Sequence, residues 1–147
     1  MGDHIVEYGR IFYYKDGILR TNPGSTCIVK VGETAETGHK IFEGFYVCFH
    51  ALRKAFFGGT RRCIGLDGCF LKGVCRGQLL VVYRDGNNQM LPIAWAVVEV
   101  ENKFTWAWFF TLVKNDLDLR EGHELTLITD MQKIWTGNCS GRFITTC

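Results

Sequence analysis

Two aspartates in this sequence stand where a carboxylate needs a specific reason to be. Asp67 lies inside the apolar run CIGLDGCFLKG, between Gly65 and Gly68, and Asp130 ends the apolar run HELTLITD. A carboxylate is among the groups least often buried, because losing its water costs several kcal/mol unless a partner or a metal compensates. Two carboxylates repel each other unless a cation lies between them, and hard cations such as Mg²⁺ prefer oxygen ligands. The pair is a candidate metal site if the fold brings the two runs together.

Each aspartate also has a structural explanation of its own. Asp67 could belong to a β-bulge, since a glycine within a strand often marks one, and Gly65 and Gly68 flank it. Asp130 could be the N-cap of a helix over the following residues, MQKIW. Only the two aspartates together, on neighbouring strands, favour a metal site over these alternatives.

Composition limits the class of protein to which such a site could belong. The chain has 147 residues, of which 47% are hydrophobic and 14% aromatic, which is enough for one packed core. A formal charge of +2 is too small to indicate nucleic-acid binding by itself. The sequence shows no signal peptide and no apolar run near the roughly 20 residues that cross a bilayer, so we expect an intracellular protein without a membrane span.

The seven cysteines do not resemble a disulfide framework, because their number is odd and no Cys-x-x-Cys pair occurs. The four histidines do not pair with a cysteine or with each other at zinc-ligand spacing. The sequence therefore predicts reduced, mostly buried thiols and no zinc site.

The elements that must position the aspartates begin after a different N-terminal segment, residues 1–60, which we expect to be mainly helical. IVEYGRIFYYKDGILR has helical spacing of its apolar residues, and TNPGST then precedes a short β-like stretch, CIVKV. In IFEGFYVCFHALRKAFF, aromatic residues recur every three or four positions, which predicts an amphipathic helix over 41–57.

Three strands follow in quick succession: CIGLDGCFL, GQLLVVYRD and QMLPIAWAVVEV. DGNN between the second and third is typical of a hairpin turn, so these strands are expected to be antiparallel neighbours. Pro92 cannot donate a hydrogen bond to a sheet, which predicts that the third strand lies at an edge or enters the sheet there.

A helix is predicted over NKFTWAWFFTLVKNDL, with Asn102 as its N-cap. Trp106 and Trp108 could form a stacking platform for bases, but a helix that faces a sheet buries its aromatic residues, and we favour the core. The strand HELTLITD then follows a crossover helix and so is expected to run parallel to an existing strand.

Three antiparallel strands, a helix and a fourth strand parallel to the first form the opening of a ribonuclease H-like α/β fold. In that fold the fourth strand pairs with the first, which would place the carboxylates of Asp67 and Asp130 within roughly 4–8 Å, a separation suited to metal ions spaced about 3.5–4 Å apart. Two such metals align the attacking and leaving oxygens for displacement at phosphorus. The predicted chemistry is cleavage or transfer of a phosphodiester.

The runs IGLDGCFLKG, GQLLVVYRDGNNQMLPIAWAVVEVENKFTWAWFF and LTLITDMQK resemble the transposases of plant Mutator-like elements, the MuDR/MULE family. RTNPGST and FYVCFHALRKAFFGG resemble the segment before the catalytic domain of that family. The resemblance implies a DDE-type enzyme with a ribonuclease H-like core at 61–135, which cuts and joins transposon ends in the nucleus during DNA transposition and recombination. It also implies Mg²⁺ or Mn²⁺ as cofactor, with Asp67 as the first and Asp130 as the second catalytic and metal-binding aspartate.

This sequence departs from the family after Lys133, and residues 136–147 form a divergent tail. The family has a catalytic glutamate well downstream of the second aspartate, whereas none of the 17 residues after Asp130 is acidic. We therefore expect a truncated fragment of a transposable-element protein that is inactive alone. Strand four should then expose an edge that promotes self-association, unless the RFITT stretch of the tail or the N-terminal helices cover it.

Three hypotheses on function follow. The first is the inactive transposase fragment, with transposon DNA as its ancestral partner, and the second is a DNA-binding or regulatory protein that a host genome has adopted. The third is a small metal-dependent nuclease that uses Glu99, Glu101 or Asp116 as a substitute third acid. We favour the first. The predicted elements place all three of these acids away from the aspartate pair, which argues against the third.

Overall fold

In the computed structural model, the described residues are 3–59, 63–72, 77–86, 89–119, 126–129 and 142–145. They form the helices α1 (Asp3–Thr21), α2 (His50–Phe57) and α3 (Lys103–Asp116). The strands are β1 (Thr26–Glu33), β2 (Lys40–Cys48), β3 (Cys63–Leu71), β4 (Gly77–Gly86), β5 (Gln89–Val98), β6 (Thr126–Thr129) and β7 (Arg142–Thr145). Among these residues, no helix is both long and apolar enough to span a membrane.

The described strands form one mixed sheet in the order β1-β2-β5-β4-β3-β6-β7. The pairs β1–β2, β2–β5, β5–β4 and β4–β3 are antiparallel, whereas β3–β6 and β6–β7 are parallel. Helix α3 lies in the connection between β5 and β6, which run in the same direction and so need a crossover. The fold is α/β, as the sequence predicts, with β3 between β4 and β6.

Both faces of the sheet are packed against helices where β2 runs. Tyr46 of β2 belongs to the main core together with Trp106 of α3, whereas its neighbour Phe45 belongs to a second cluster with Ile11 and Ile18 of α1. Because successive side chains of a strand point to opposite faces, α1 and α3 pack on opposite sides of the sheet.

The predicted helix over 41–57 is wrong in its first part, which is strand β2, and only His50–Phe57 is helical. The N-terminal segment contains 27 helical residues in α1 and α2 and 17 strand residues in β1 and β2, and its β1–β2 hairpin joins the sheet beside β5. A strand buried on both faces has an almost continuous apolar sequence, and such a run cannot be told from a buried helix by its periodicity.

The core strands agree with the sequence prediction. Strand β3 has the predicted bounds, and β4 and β5 form the predicted antiparallel pair. Pro92 lies in the part of β5 that pairs only with β4, because the β2 ladder reaches no further than Trp95. Strand β5 is therefore an interior strand over only part of its length. Pro92 lies in the part that has no neighbour on the β2 side, so on that side it interrupts no hydrogen bonds.

Helix α3 has the predicted N-cap, Asn102, whose side chain accepts hydrogen bonds from the backbone N–H groups of Phe104 and Thr105. Trp106 is buried in the core and donates its indole N–H to Glu101 at 3.0 Å. Trp108 is partly buried and packs against the same core. Both tryptophans are packing residues, as expected, and not an exposed stacking platform.

Strand β6 is not at the edge of the sheet. Residues 142–145, within the RFITT stretch, form β7 and pair with β6 in parallel along its whole length, from Thr126 to Thr129. Of the two outcomes considered for strand four, the tail covering it is the one observed. The expected self-association through β6 therefore loses its basis, because the outermost described strands are β1 and β7.

Candidate metal site

Asp67 lies where strand β3 changes from buried to exposed. Ile64 and Leu66 are buried in the main core, whereas Asp67 and the residues from Cys69 to Leu71 are exposed. Since neighbouring side chains in a strand point to opposite faces, Asp67 points away from the core face that Leu66 occupies. The carboxylate therefore sits within an apolar run without being buried, and its desolvation cost is avoided.

The pairing with β4 is continuous through Asp67. Residues 64–71 of β3 pair one to one with residues 84–77 of β4, and Asp67 lies opposite Val81. The β-bulge explanation of Asp67 is therefore wrong.

The two flanking glycines have separate roles. A Cβ at Gly65 would overlap the ring of Tyr83, its cross-strand partner, so this position must lack a side chain while the ring lies there. The backbone N–H of Gly68 donates to the Asp67 carboxylate at 2.8 Å.

The register of β6 with β3 is described up to Thr129, the residue before the second aspartate. The parallel pairing runs from Cys63–Thr126 to Leu66–Thr129, where the described part of β6 ends. In the sequence, Asp67 follows Leu66 and Asp130 follows Thr129. Asp130 itself lies outside the described residues, so its distance from Asp67 and its alternative role as an N-cap stay predictions.

Glu99 and Glu101, considered as substitute acids, lie far from Asp67. In the sheet, Asp67 lies opposite Val81, which lies opposite Trp95 of β5. Glu99 is thus two strands away and four residues further along, a separation of roughly 16 Å between Cα atoms from ordinary strand spacings. Glu101 lies beyond it and accepts the hydrogen bond from Trp106.

Asp116, the third candidate, is held by a different group of residues. Its carboxylate accepts hydrogen bonds from Thr26 at 2.6 Å, Tyr46 at 2.7 Å and Arg53 at 3.0 Å. Arg53 also donates to the carbonyl oxygen of Gly24 at 2.7 Å. These contacts join the end of α3 to β1, β2 and α2, and they make Asp116 a structural anion.

Burial around this group changes the ionisation of its neighbours. Burial, followed by the nearby charge of Asp116, raises the pKa of the Cys48 thiol to about 12. Burial is also the largest cause of the raised pKa of Tyr46, whose hydroxyl donates to Asp116. Both groups are therefore neutral near pH 7 and supply no nucleophile or base.

Sequence reasoning missed the Asp116 cluster because no local pattern encodes it. Its members come from four elements, and Thr26 and Asp116 are 90 positions apart. The one available signal was the run of polar residues KND at the end of α3, a helix whose other residues are mostly apolar. That signal predicts solvent exposure as readily as a buried ion pair.

Comparisons with known proteins do not identify this chain, since we found no match to it among protein-family models, curated proteins or solved structures. Within the described ranges, no group of three His, Cys, Asp or Glu side chains is arranged to hold a metal ion. The candidate metal site therefore consists of Asp67 on β3 and Asp130, which follows the last residue of β6 in the sequence.

Proposed function

We propose that this chain carries a divalent-cation site at Asp67 and Asp130 on a ribonuclease H-like sheet derived from a Mutator-like DDE transposase. One observation carries the proposal: β3 and β6 are parallel neighbours, and in the sequence each residue of their last described pair, Leu66 and Thr129, is followed by an aspartate. The order β5-β4-β3-β6-β7 supports it, because it contains an antiparallel meander whose first strand pairs with the fourth, and a fifth strand beside the fourth.

The two carboxylates would hold Mg²⁺ or Mn²⁺, since hard cations take oxygen ligands and relieve the repulsion between the acids. When bound, such a cation stabilises the charge that develops on a phosphate undergoing displacement. The partner on this proposal is DNA, ancestrally the ends of a transposon, and the location is the nucleus. Asp67 is exposed and already oriented by the Gly68 N–H, so a cation from solvent can reach it.

We further propose that this chain does not cleave DNA by itself. No residue from 131 to 147 is acidic, and the three substitute acids lie away from Asp67 or are hydrogen-bonded elsewhere. Two carboxylates hold a cation weakly, and an error of about 1 Å in the position of the reacting groups can reduce the rate by about 10²-fold. The nuclease hypothesis is therefore the weakest of the three.

A second candidate, a DNA-binding or regulatory protein adopted by a host genome, is favoured by strand β7. The tail pairs along the whole of β6, so the sheet has a fifth core strand even though the tail sequence does not resemble the family. A stable binding domain needs a covered sheet edge. In a decaying fragment, by contrast, selection would not maintain such a strand.

The test is Mn²⁺ binding measured by electron paramagnetic resonance, together with cleavage of end-labelled DNA. We expect weak Mn²⁺ binding that Asp67→Asn and Asp130→Asn each remove and that the exposed control Glu36→Gln leaves unchanged. No cleavage is expected with either metal. Unchanged binding in both aspartate variants would disprove the metal site, and nicking that Asp67→Asn abolishes would establish the nuclease instead.

A further inference from the structure

Helix α1 carries a line of arginine and tyrosine on its outward side. Arg10, Tyr13, Gly17 and Arg20 recur every three or four residues and so lie along one side of the helix, which we call the Arg–Tyr stripe. Tyr13 is 78% exposed, an unusual state for a large aromatic side chain.

The orientation of the stripe is fixed by the opposite side of α1. Ile11, Ile18 and Leu19 pack against the cluster that contains Phe45 and Val47 of β2. Helix α1 is thus anchored by its apolar side, and the stripe faces away from the sheet.

Glycine leaves open space on both sides of Tyr13. Gly9 and Gly17 are four positions before and after it, and a Cβ built on either would meet no atom within 4 Å. Glycine is the poorest helix former after proline, so two glycines in the middle of a helix reduce its stability. Packing does not require them here, and they leave the space beside Tyr13 open to a flat group.

The exposed charged side chains of α1 from residue 9 onward are Arg10, Asp16 and Arg20, which give this side of the helix a net charge of +1. Tyr14, which also contacts Phe45, is 65% exposed and adds a second aromatic surface. Arg10 and Arg20 are separated by about 15 Å along the helix axis.

We propose that the Arg–Tyr stripe binds single-stranded nucleic acid, with one base stacked on Tyr13 and the flanking phosphates on Arg10 and Arg20. Aromatic platforms between basic side chains are how proteins bind single strands without reading sequence. The positive charge and the glycine gaps favour a flat, anionic ligand over an apolar protein segment. The inference uses neither Asp67 nor Asp130, so it stands or fails separately from the metal site.

The first test measures binding of a fluorescein-labelled oligothymidylate by anisotropy in the presence of EDTA, so that no divalent cation contributes. Tyr13→Ala should weaken binding by about 5- to 150-fold, and Tyr13→Phe should restore it, since the ring is retained. Arg10→Ala and Arg20→Ala should each reduce the slope of log affinity against log salt by about 0.7. The control is Phe104→Ala, which removes an aromatic side chain that is 70% exposed on α3, beside Lys103.

The second test separates binding from helix stability. Replacing Gly9 and Gly17 by leucine should raise the thermal midpoint, because leucine is a far better helix former, and should still weaken oligonucleotide binding by closing the space around Tyr13. Undetectable binding by the unmodified chain, equal losses in Tyr13→Ala and Phe104→Ala, or full affinity in the leucine variant would each overturn the proposal. Selective binding of a protein at the stripe, with none of the oligonucleotide, would assign the surface to a protein partner instead.

Discussion

At the scale of single residues, the clearest physical property is the neutral state that burial imposes on Cys48. The side chain is fully buried, its Sγ contacts the carbonyl oxygen of Ile93 at 3.7 Å, and its pKa is raised from 9.0 to about 12. Burial therefore makes the thiol both inaccessible and poorly nucleophilic.

This shift predicts a loss of stability at high pH. Below pH 9 the thiol is protonated in both folded and unfolded chains, so its full contribution to stability is present. Between pH 9 and about 12 only the unfolded chain releases the proton, so the free energy of unfolding falls by up to about 1.4 kcal/mol per pH unit for this group. The free energy of unfolding should be measured by urea denaturation at several pH values from 8 to 11. It should fall less steeply with pH in Cys48→Ala than in the unmodified chain.

The control for that measurement is Cys69→Ala, because Cys69 is exposed. Tyr46 and Cys27 also have raised pKa values and add to the fall in the free energy of unfolding with pH in the unmodified chain. The contribution of Cys48 is therefore the difference between Cys48→Ala and the unmodified chain. If the free energy of unfolding fell equally with pH in Cys48→Ala and in the unmodified chain, the predicted contribution of Cys48 would be wrong.

Gly44 gives a second prediction at the residue scale. It is buried in β2, and a Cβ there would lie 2.9 Å from the Trp108 ring of α3. Gly44→Ala should destabilise the chain by about 1–3 kcal/mol through overpacking. Gly58→Ala is the matched control, since its Cβ would lie 3.6 Å from the nearest atom and its φ is −72°. Recovery of stability in the double variant Gly44→Ala/Trp108→Leu would identify the ring as the cause.

At the scale of elements, the Asp116 cluster joins four pieces of secondary structure that are distant in sequence. Arg53 and Asp116 form an ion pair whose two side chains are mostly buried, and Tyr46 and Thr26 complete the hydrogen bonds of the carboxylate. The cluster fixes the end of α3 against β1, β2 and α2.

Removing the acid from this cluster should be severe. Asp116→Ala leaves Arg53 and the Tyr46 hydroxyl without their partner, and breaking a buried pair costs about 3–5 kcal/mol. The matched control is Glu43→Ala, which breaks the Lys30–Glu43 ion pair at 3.0 Å, where both side chains are about 40% exposed. That pair is worth less than about 1 kcal/mol. Similar losses in the two variants, measured by urea unfolding, would show that the cluster is not effectively buried.

The elements also show which parts of the fold a single sequence encodes. Strand β3 and helix α3 were predictable because their signals are local: a strand between turn residues, and an N-cap before a helical apolar pattern. Strand β2 was not, since burial on both faces removes the alternation that identifies a strand. The Asp116 cluster depends on tertiary contacts alone. Asp67 could be identified because an acid within an apolar run of the sequence is unusual.

At the scale of the whole molecule, the sheet depends on its C-terminal strand. Strand β7 pairs with all four residues of β6, and β6 is short, uncharged and free of proline. If β7 were removed, β6 would present unpaired N–H and C=O groups to other chains. The tail is therefore expected to control solubility.

Two prolines in β7 test this dependence. In a parallel ladder, alternate residues hydrogen-bond to a given neighbour, so Phe143→Pro/Ile144→Pro must remove at least one N–H that bonds to β6. We expect a lower thermal midpoint and larger species in light scattering. Phe143→Thr/Ile144→Thr is the control, because it keeps both N–H groups and a high strand propensity. A monomeric proline variant with an unchanged midpoint would show that β7 contributes little.

The parallel pairing of β3 with β6 also has a consequence during synthesis on the ribosome. Thr126 is 55 residues later in the chain than Leu71, so at about 5–20 residues per second β3 waits roughly 3–11 s for its neighbour. Throughout that interval one side of β3 has no partner, on a nascent chain close to other nascent chains. A charged residue in a strand whose edge is unpaired opposes pairing with the strand of another chain. We therefore expect Asp67 to reduce aggregation of the newly made chain, a role that does not depend on metal binding.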